Sequence, residues 1–174
     1  DTSGLILIAK NKYAAQQLER QRANHTLSRV YLALAEGHWT NQSKSGLIDR
    51  PIEKVPECFN RYQVADTGRP SRTEYEVLSE FTYEETPFSL VRLKLQTGRT
   101  HQIRVHMASL SHPLLGDSFY GHEGFLGFDR AALHSFEITC QLPGHQDLAV
   151  FSSEMPEDFQ KMIAKSINFS STLI

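Results

Sequence analysis

Hydrophobic positions recur along this chain in two periods, separated by clusters of Gly, Pro, Asn and charge. Ser28 to Glu36, SRVYLALAE, alternates with period two: Val30, Leu32 and Leu34 share one face, and Tyr31, Ala33 and Ala35 share the other. If the aliphatic face meets the core, Tyr31 projects from the opposite side amid small residues, leaving room for something flat against it. Ser71 to Phe81 alternates again, with Thr73, Tyr75 and Val77 on one face; Glu84 to Pro87 makes a turn; Ser89 to Leu95 returns with Val91, Leu93 and Leu95 on one side. That is a hairpin. Ala132 to Thr139 and Leu148 to Phe151 are two further predicted strands.

The run Leu5 to Ala9, LILIA, is continuously apolar and is expected to be a buried strand. Asn11 is placed to cap a helix over 12–24. A second helix is predicted over Thr100 to Leu110, and a third, amphipathic, over Pro156 to Lys165 with Phe159 and Met162 on one face. Thr40 to Arg69 is rich in Asn, Ser, Gly, Pro and charge, and is expected to be a loop region with one short strand. Residues 168–174 are expected to form a loose C-terminal tail. No repeat, linker or low-complexity tract interrupts the chain, so 1–174 is expected to be a single α+β domain with several hairpins.

At 174 residues, with 40% hydrophobic and 22% charged residues, the chain has the makeup of an ordinary globular domain with a real core. A net charge of −2 argues against nucleic-acid binding over the whole surface, so an RNA partner would need a local basic site. Cys58 and Cys140 lie far apart and read as reduced thiols, which suits a cytoplasmic protein. No apolar run has membrane-spanning length. The chain opens abruptly on a turn leading into LILIA, which reads as the interior of a domain; an N-terminally incomplete domain is therefore expected.

The chemistry is concentrated in Leu95 to Tyr120, LQTGRTHQIRVHMASLSHPLLGDSFY. A strand, a Thr97-Gly98-Arg99 turn and a polar helix start place cations beside free backbone N–H groups, a setting that suits an anion such as an RNA phosphate. On the predicted helix Ile103, Met107 and Leu110 share the core face, while His101 and Arg104, three apart, reach one site. Singly, a helical histidine is more often structural than catalytic and an arginine more often a solvated charge; three such groups converging on one glycine turn shift that balance. A metal site built on His101, His106 and His112 is disfavoured. Positions five apart lie about 140° apart around a helix, and no carboxylate or cysteine completes a ligand set.

These residues carry a family resemblance. TGRTHQIRVHMASLSHPLLGDSFYG resembles the core motif of RluA-type pseudouridine synthases along its whole length. DTSGLILIAKN is similar to the strand after that family's catalytic aspartate motif, SRVYLALAEG to its tyrosine-bearing strand, RTEYEVL (Arg72 to Leu78) to its hairpin strand, and ALHS (Ala132 to Ser135) to its Leu-His-Ala element. The resemblance implies a mixed, mostly antiparallel sheet with helices packed on it and an RNA-binding cleft across it. It implies isomerisation of uridine to pseudouridine in rRNA or tRNA, with no cofactor and no metal, on a nucleotide flipped out of its stack. Arg104 would pair with the catalytic carboxylate, Tyr31 would stack on the uracil and help move the C5 proton, and Leu133 would wall the pocket. Arg99, His101, Gln102 and Thr97 would contact RNA. Arg50, Lys54 and Arg61, within 41–69, are candidate specificity contacts, with an ordinary solvated loop as the equal alternative.

One departure matters. The family motif reads His-Arg-Leu-Asp, two variable residues, then Thr-Ser-Gly. Here Thr2-Ser3-Gly4 is present and Asp1 fills the second variable position, so Asp1 is not the nucleophilic aspartate, which is expected just upstream. Two alternatives stand beside the isomerase: a non-catalytic RNA-binding fragment or inactive relative, and, more weakly, a phosphate-processing hydrolase using His101 and Arg104, for which no nucleophile is in evidence. The sequence leaves open which RNA and which uridine are modified.

Overall fold

The computed structural model describes residues 2–172, with side chains through residue 167. Its elements run β1 (Ser3–Gly4), α1 (Lys12–Ala23), β2 (Ser28–Glu36), β3 (Ser45–Asp49), β4 (Ile52–Lys54) and β5 (Tyr62–Val64), then β6 (Arg72–Tyr83), β7 (Thr86–Leu95), α2 (Gln102–Ser109), β8 (Leu133–Gln141), β9 (Leu148–Ser152) and α3 (Glu157–Thr172). Among the described residues one seven-stranded sheet follows the path β1-β8-β2-β7-β6-β3, with β9 also paired to β8. Only β1 with β8 is parallel; the other pairings of this sheet are antiparallel. The expected α+β architecture, with a mixed and mostly antiparallel sheet, is therefore what forms.

β2 is the central strand because it can bury both faces. Leu32 and Leu34 pack with Phe88, Leu90, Phe159 and Met162, which puts α3 on that side. Ala33 and Ala35 pack with Val91, Leu93, Ile103 and Met107, which puts α2 on the other. Alanines here let α2 approach the sheet closely, and both are fully buried. The expected division into a core face and an open face is thus corrected: both faces are buried from Leu32 to Ala35, and the α2 side opens at Tyr31 and Arg29, next to a β-bulge between Val30 and Tyr31.

Leu5 to Ala9 is not the buried strand expected. β1 stops at Gly4, Leu5 N–H donates to Ser135 O at 3.0 Å, and Ile6 and Ile8 are 80% and 72% exposed. The cause lies in the neighbour: beyond Ser135 the same edge of β8 is occupied by β9, from the Glu137–Ser152 pair onward. A run that reads as a strand has no partner left. Gly4 explains its own place in Thr2-Ser3-Gly4, because at φ +92° a Cβ would stand 2.3 Å from Ser135 O.

The 40–69 region holds three short strands rather than one. β3 extends the sheet edge against β6, and β4 and β5 form a separate hairpin. Their sequences hid them: SGLID buries only Ile48, at 3% exposure, and reads as polar loop. α1 begins after Asn11, whose side chain accepts from Ala14 N–H at 2.8 Å, as its sequence foretold. α3 runs to Thr172, past residue 168 where a loose tail was expected, and Leu173 and Ile174 lie outside the described residues.

Candidate active site

The sheet sets out a row of residues whose side chains share the α2 face. Gly4 pairs with Ser135, Ser135 with Tyr31, and Tyr31 with Leu93. Laterally paired residues point to the same side of a sheet, so the Thr2-Ser3-Gly4 end of the chain and the Tyr31 ring belong to one surface. Leu133, opposite Ala33, is 5% exposed and packs in the cluster with Ile103 that Tyr31 also touches. Tyr31 and Ser135 line a cavity of about 420 Å³ together with Leu5, Leu18, Arg22 and Arg29, a size typical of small-molecule sites.

Arg104 follows Ile103 on α2. Its Nε donates to Asp117 Oδ2 at 2.7 Å and its Nη2 to Asp117 Oδ1 at 2.6 Å. The side chains are 18% and 0% exposed respectively. Asp117 Oδ1 also accepts from the backbone N–H groups of Phe119 and Tyr120 at 3.0 and 3.1 Å. The turn so held places both rings against the guanidinium, whose carbon lies 5.3 Å from the Phe119 centroid and 5.1 Å from the Tyr120 centroid. Among the described residues Arg104 Nη1 has no hydrogen-bond partner, so one edge of the fork remains for a further anion. No hydrogen bond joins Arg104 to Tyr31; what links them is the apolar cluster around Ile103 and Leu133.

His101 begins this helix in the left-handed region, at φ 55°. The Tyr120 hydroxyl accepts from Tyr62 N–H at 2.9 Å and lies 3.0 Å from His101 Nδ1. His101 is half-buried at this contact. Burial, followed by the Arg104 charge, lowers its pKa, and burial raises that of Tyr120.

Two of the expected RNA contacts, Gln102 and Thr97, have side chains engaged within the fold. Gln102 is 2% exposed and its amide is spent internally: Oε1 accepts from Thr97 Oγ1 at 2.8 Å and Arg99 N–H at 3.0 Å, and Nε2 donates to Arg72 O and Thr73 Oγ1, both at 2.9 Å. Thr97 Oγ1 accepts from Arg72 N–H as well as donating to Gln102. Both side chains pin the turn to β6. Arg99 is exposed, with Nε 3.3 Å from Pro70 O. Arg50 is used at the end of α2, donating to Ser109 O at 2.7 Å, whereas Lys54 and Arg61 are exposed on the β4–β5 hairpin. Asp1 lies outside the described residues.

The three histidines weighed as metal ligands have separate duties. His101 meets Tyr120; His106 is buried between Thr73 Oγ1 and Arg50 O, both at 2.9 Å; His112 contacts Glu36 O at 2.7 Å and stacks on Trp39 with centroids 4.0 Å apart. Sequence reasoning missed Asp117 as the partner of Arg104. A signal was present, because a carboxylate embedded in Leu114-Leu115-Gly116 is an acid placed for burial, and buried acids are paired.

Comparison with known proteins gives this arrangement a class. A family model described as RNA pseudouridylate synthase matches residues 1–109. The chain belongs to that family. It is 36% identical over 171 residues to the ribosomal large subunit pseudouridine synthase D of Nitrosomonas europaea, covering 94% of this chain and 48% of that protein. It is 40% identical over 162 residues to the uncharacterized RNA pseudouridine synthase YhcT of Bacillus subtilis, covering 93% and 52%. The solved structure of human RNA pseudouridylate synthase domain containing 1 superposes with a TM-score of 0.68 at 30% identity, over 84% of this chain and 62% of that one. The chain spans about half the length of the curated relatives it matches.

Proposed function

We propose that the protein isomerises uridine to pseudouridine in structured RNA. The reaction breaks the bond from uracil N1 to ribose C1′ and forms one from C5 to C1′; the C5 proton leaves and N1 gains one. Atoms and electrons balance, so the step needs no redox partner. The observation that carries the reading is the row Gly4–Ser135–Tyr31, which sets an aromatic ring beside a cavity at the same sheet surface as the Thr2-Ser3-Gly4 motif.

Each residue then has a task. The target uridine leaves its stack and its ring lies against Tyr31, with Leu133 as apolar wall. The carboxylate that the family resemblance places ahead of Thr2-Ser3-Gly4 enters at the β1 end of the row. The free Nη1 edge of Arg104 meets it, while Asp117 keeps that guanidinium from swinging away. A cation at that range holds a carboxylate ionised. His101 and Arg99 face the substrate from the start of α2, and Lys54 and Arg61 on the β4–β5 hairpin contact the RNA further out. Residues 1–174 act as one catalytic domain.

Large-subunit ribosomal RNA is the first substrate to examine, because relatives such as that of Nitrosomonas europaea carry that name. Such a substrate places the protein in the cytoplasm, and no helix among the described residues is long and apolar enough to cross a membrane. The test is nucleotide-resolution mapping of pseudouridine in ribosomal and transfer RNA from cells lacking the gene. Loss of a discrete set of sites, restored by the wild-type gene, supports the reading; an unchanged map in both RNA classes removes it.

A further inference from the structure

Arg29 is a cation that no described residue pairs with. It sits on β2 two residues before Tyr31 and lines the same cavity, about 7 Å along the strand from the ring. Its Nε is buried and has no hydrogen-bond partner, and no carboxylate lies within ion-pair distance of its guanidinium among the described residues. Glu19, which also lines the cavity, is taken by Arg22 at 2.6 Å. A half-buried guanidinium left unpaired is costly unless an anion arrives to meet it.

The second observation comes from Gly98. This glycine has no positive φ, so backbone conformation does not call for it. A Cβ there would stand 2.8 Å from Arg29 Nη2 and 3.2 Å from Nη1. The Thr97-Gly98-Arg99 turn therefore clears a flat seat for the Arg29 guanidinium, and it does so beside the exposed Arg99. The turn and the strand together hold a planar, five-donor fork against the wall of the base cavity.

We propose that Arg29 is an anion-binding residue of the cleft and that it takes a phosphodiester of the nucleotide whose base lies at Tyr31, or of its immediate neighbour. A fork of this kind matches two phosphate oxygens at once. The inference rests on the proposed function in that it takes RNA as the occupant, yet it concerns binding and can fail on its own.

The test uses the full-length protein and two probes: a ten-residue oligouridylate, and the same oligomer with uncharged methylphosphonate linkages. Arg29→Gln is expected to weaken binding of the charged oligomer about tenfold at low salt and to reduce the slope of log affinity against log salt by about 0.7, the value for one lost single-strand phosphate contact. Binding of the uncharged oligomer should be unchanged. Gly98→Ala keeps every charge but crowds the seat, and should reproduce part of the loss; Arg29→Lys should restore charge without the fork and fall between. Thermal unfolding of each variant checks that the fold stands. Equal losses on both oligomers, or no loss with Arg29→Gln, overturns the proposal. If this pattern is obtained while no RNA is isomerised, the phosphate site stands and the enzymatic reading alone is lost.

Discussion

Arg104 and Asp117, thirteen residues apart, are clamped by two parallel hydrogen bonds of 2.7 and 2.6 Å, and the acid of the pair is completely buried. The same carboxylate ties down the backbone of Phe119 and Tyr120, so one side chain fixes an arginine, two rings and the turn that carries them. Removing one partner of such a pair strands the other. Asp117→Ala is expected to destabilise the fold by about 3 kcal/mol, near the lower end for a broken buried pair because Arg104 retains some exposure to water. Asp117→Asn, which keeps volume and some hydrogen bonds, should cost less. Urea unfolding measures both; a loss under about 0.5 kcal/mol for Asp117→Ala, the range of ordinary surface changes, would show that the clamp is not structural.

His106 predicts the acid side of the stability curve. His106 Nε2 donates to Arg50 O, since a carbonyl only accepts, and its Nδ1 lies 2.9 Å from Thr73 Oγ1. Burial is the main cause that lowers its pKa below the ordinary 6.5. Between that lowered value and 6.5 the unfolded chain binds the proton and the folded one does not, so stability falls as pH falls through this window and is flat above it. Each such group contributes a slope of up to about 1.4 kcal/mol per pH unit. His101 and His134, whose pKa values burial also lowers, add to it. His106→Gln should flatten, without abolishing, the dependence of unfolding free energy on pH; an unaltered slope would mean that His106 is not held neutral.

Gln102 separates a structural from a recognition role. Gln102→Leu removes four internal hydrogen bonds of 2.8 to 3.0 Å and leaves Thr97, Thr73 and two backbone groups short of a partner. We expect a destabilisation of about 2–4 kcal/mol with the salt dependence of RNA affinity unchanged in whatever fraction remains folded. A normal melting temperature together with a reduced salt slope would restore Gln102 to the RNA interface.

The β6–β7 hairpin carries a local defect that can be mended. Its turn residues Glu84 and Glu85 both have positive φ, 47° and 61°, a conformation suited to Asn and Gly rather than to glutamate. Glu85→Gly should stabilise the protein by about 0.5–1 kcal/mol, since it relieves strain at the cost of some unfolded-state entropy. Chemical denaturation measures it, and a loss of stability would show that the glutamate makes a compensating contact.

Periodic strands were the most legible part of the sequence. β2, β6, β7 and β8 all appear close to their alternating patterns, because successive side chains of a strand point to opposite faces with different neighbours. Where the pattern failed, a tertiary cause took over. Leu5 to Ala9 looked like a strand, but β9 occupies the edge it would need. β3 looked like loop because an edge strand buries so little. Of the site, the positions were legible and the partnerships were not. Arg104 stood out, but the sequence could not say that Asp117 would hold it. Gln102 and Thr97 looked like free polar groups, since hydrogen bonds to the backbone of Arg72, a strand away, leave no trace in sequence.

Release of tritium from RNA carrying 5-tritiated uridine, measured with the full-length protein, tests the central claim most directly, because only loss of the C5 proton frees the label. Wild-type protein is expected to release it, while Tyr31→Phe, and Arg104→Ala assayed at a temperature where thermal unfolding shows it folded, fall at least about a hundredfold in rate, the scale of a lost proton-transfer group or oriented charge. Full release by both variants would contradict the roles assigned to Tyr31 and Arg104, and no release by the wild type from any cellular RNA would contradict the isomerase itself.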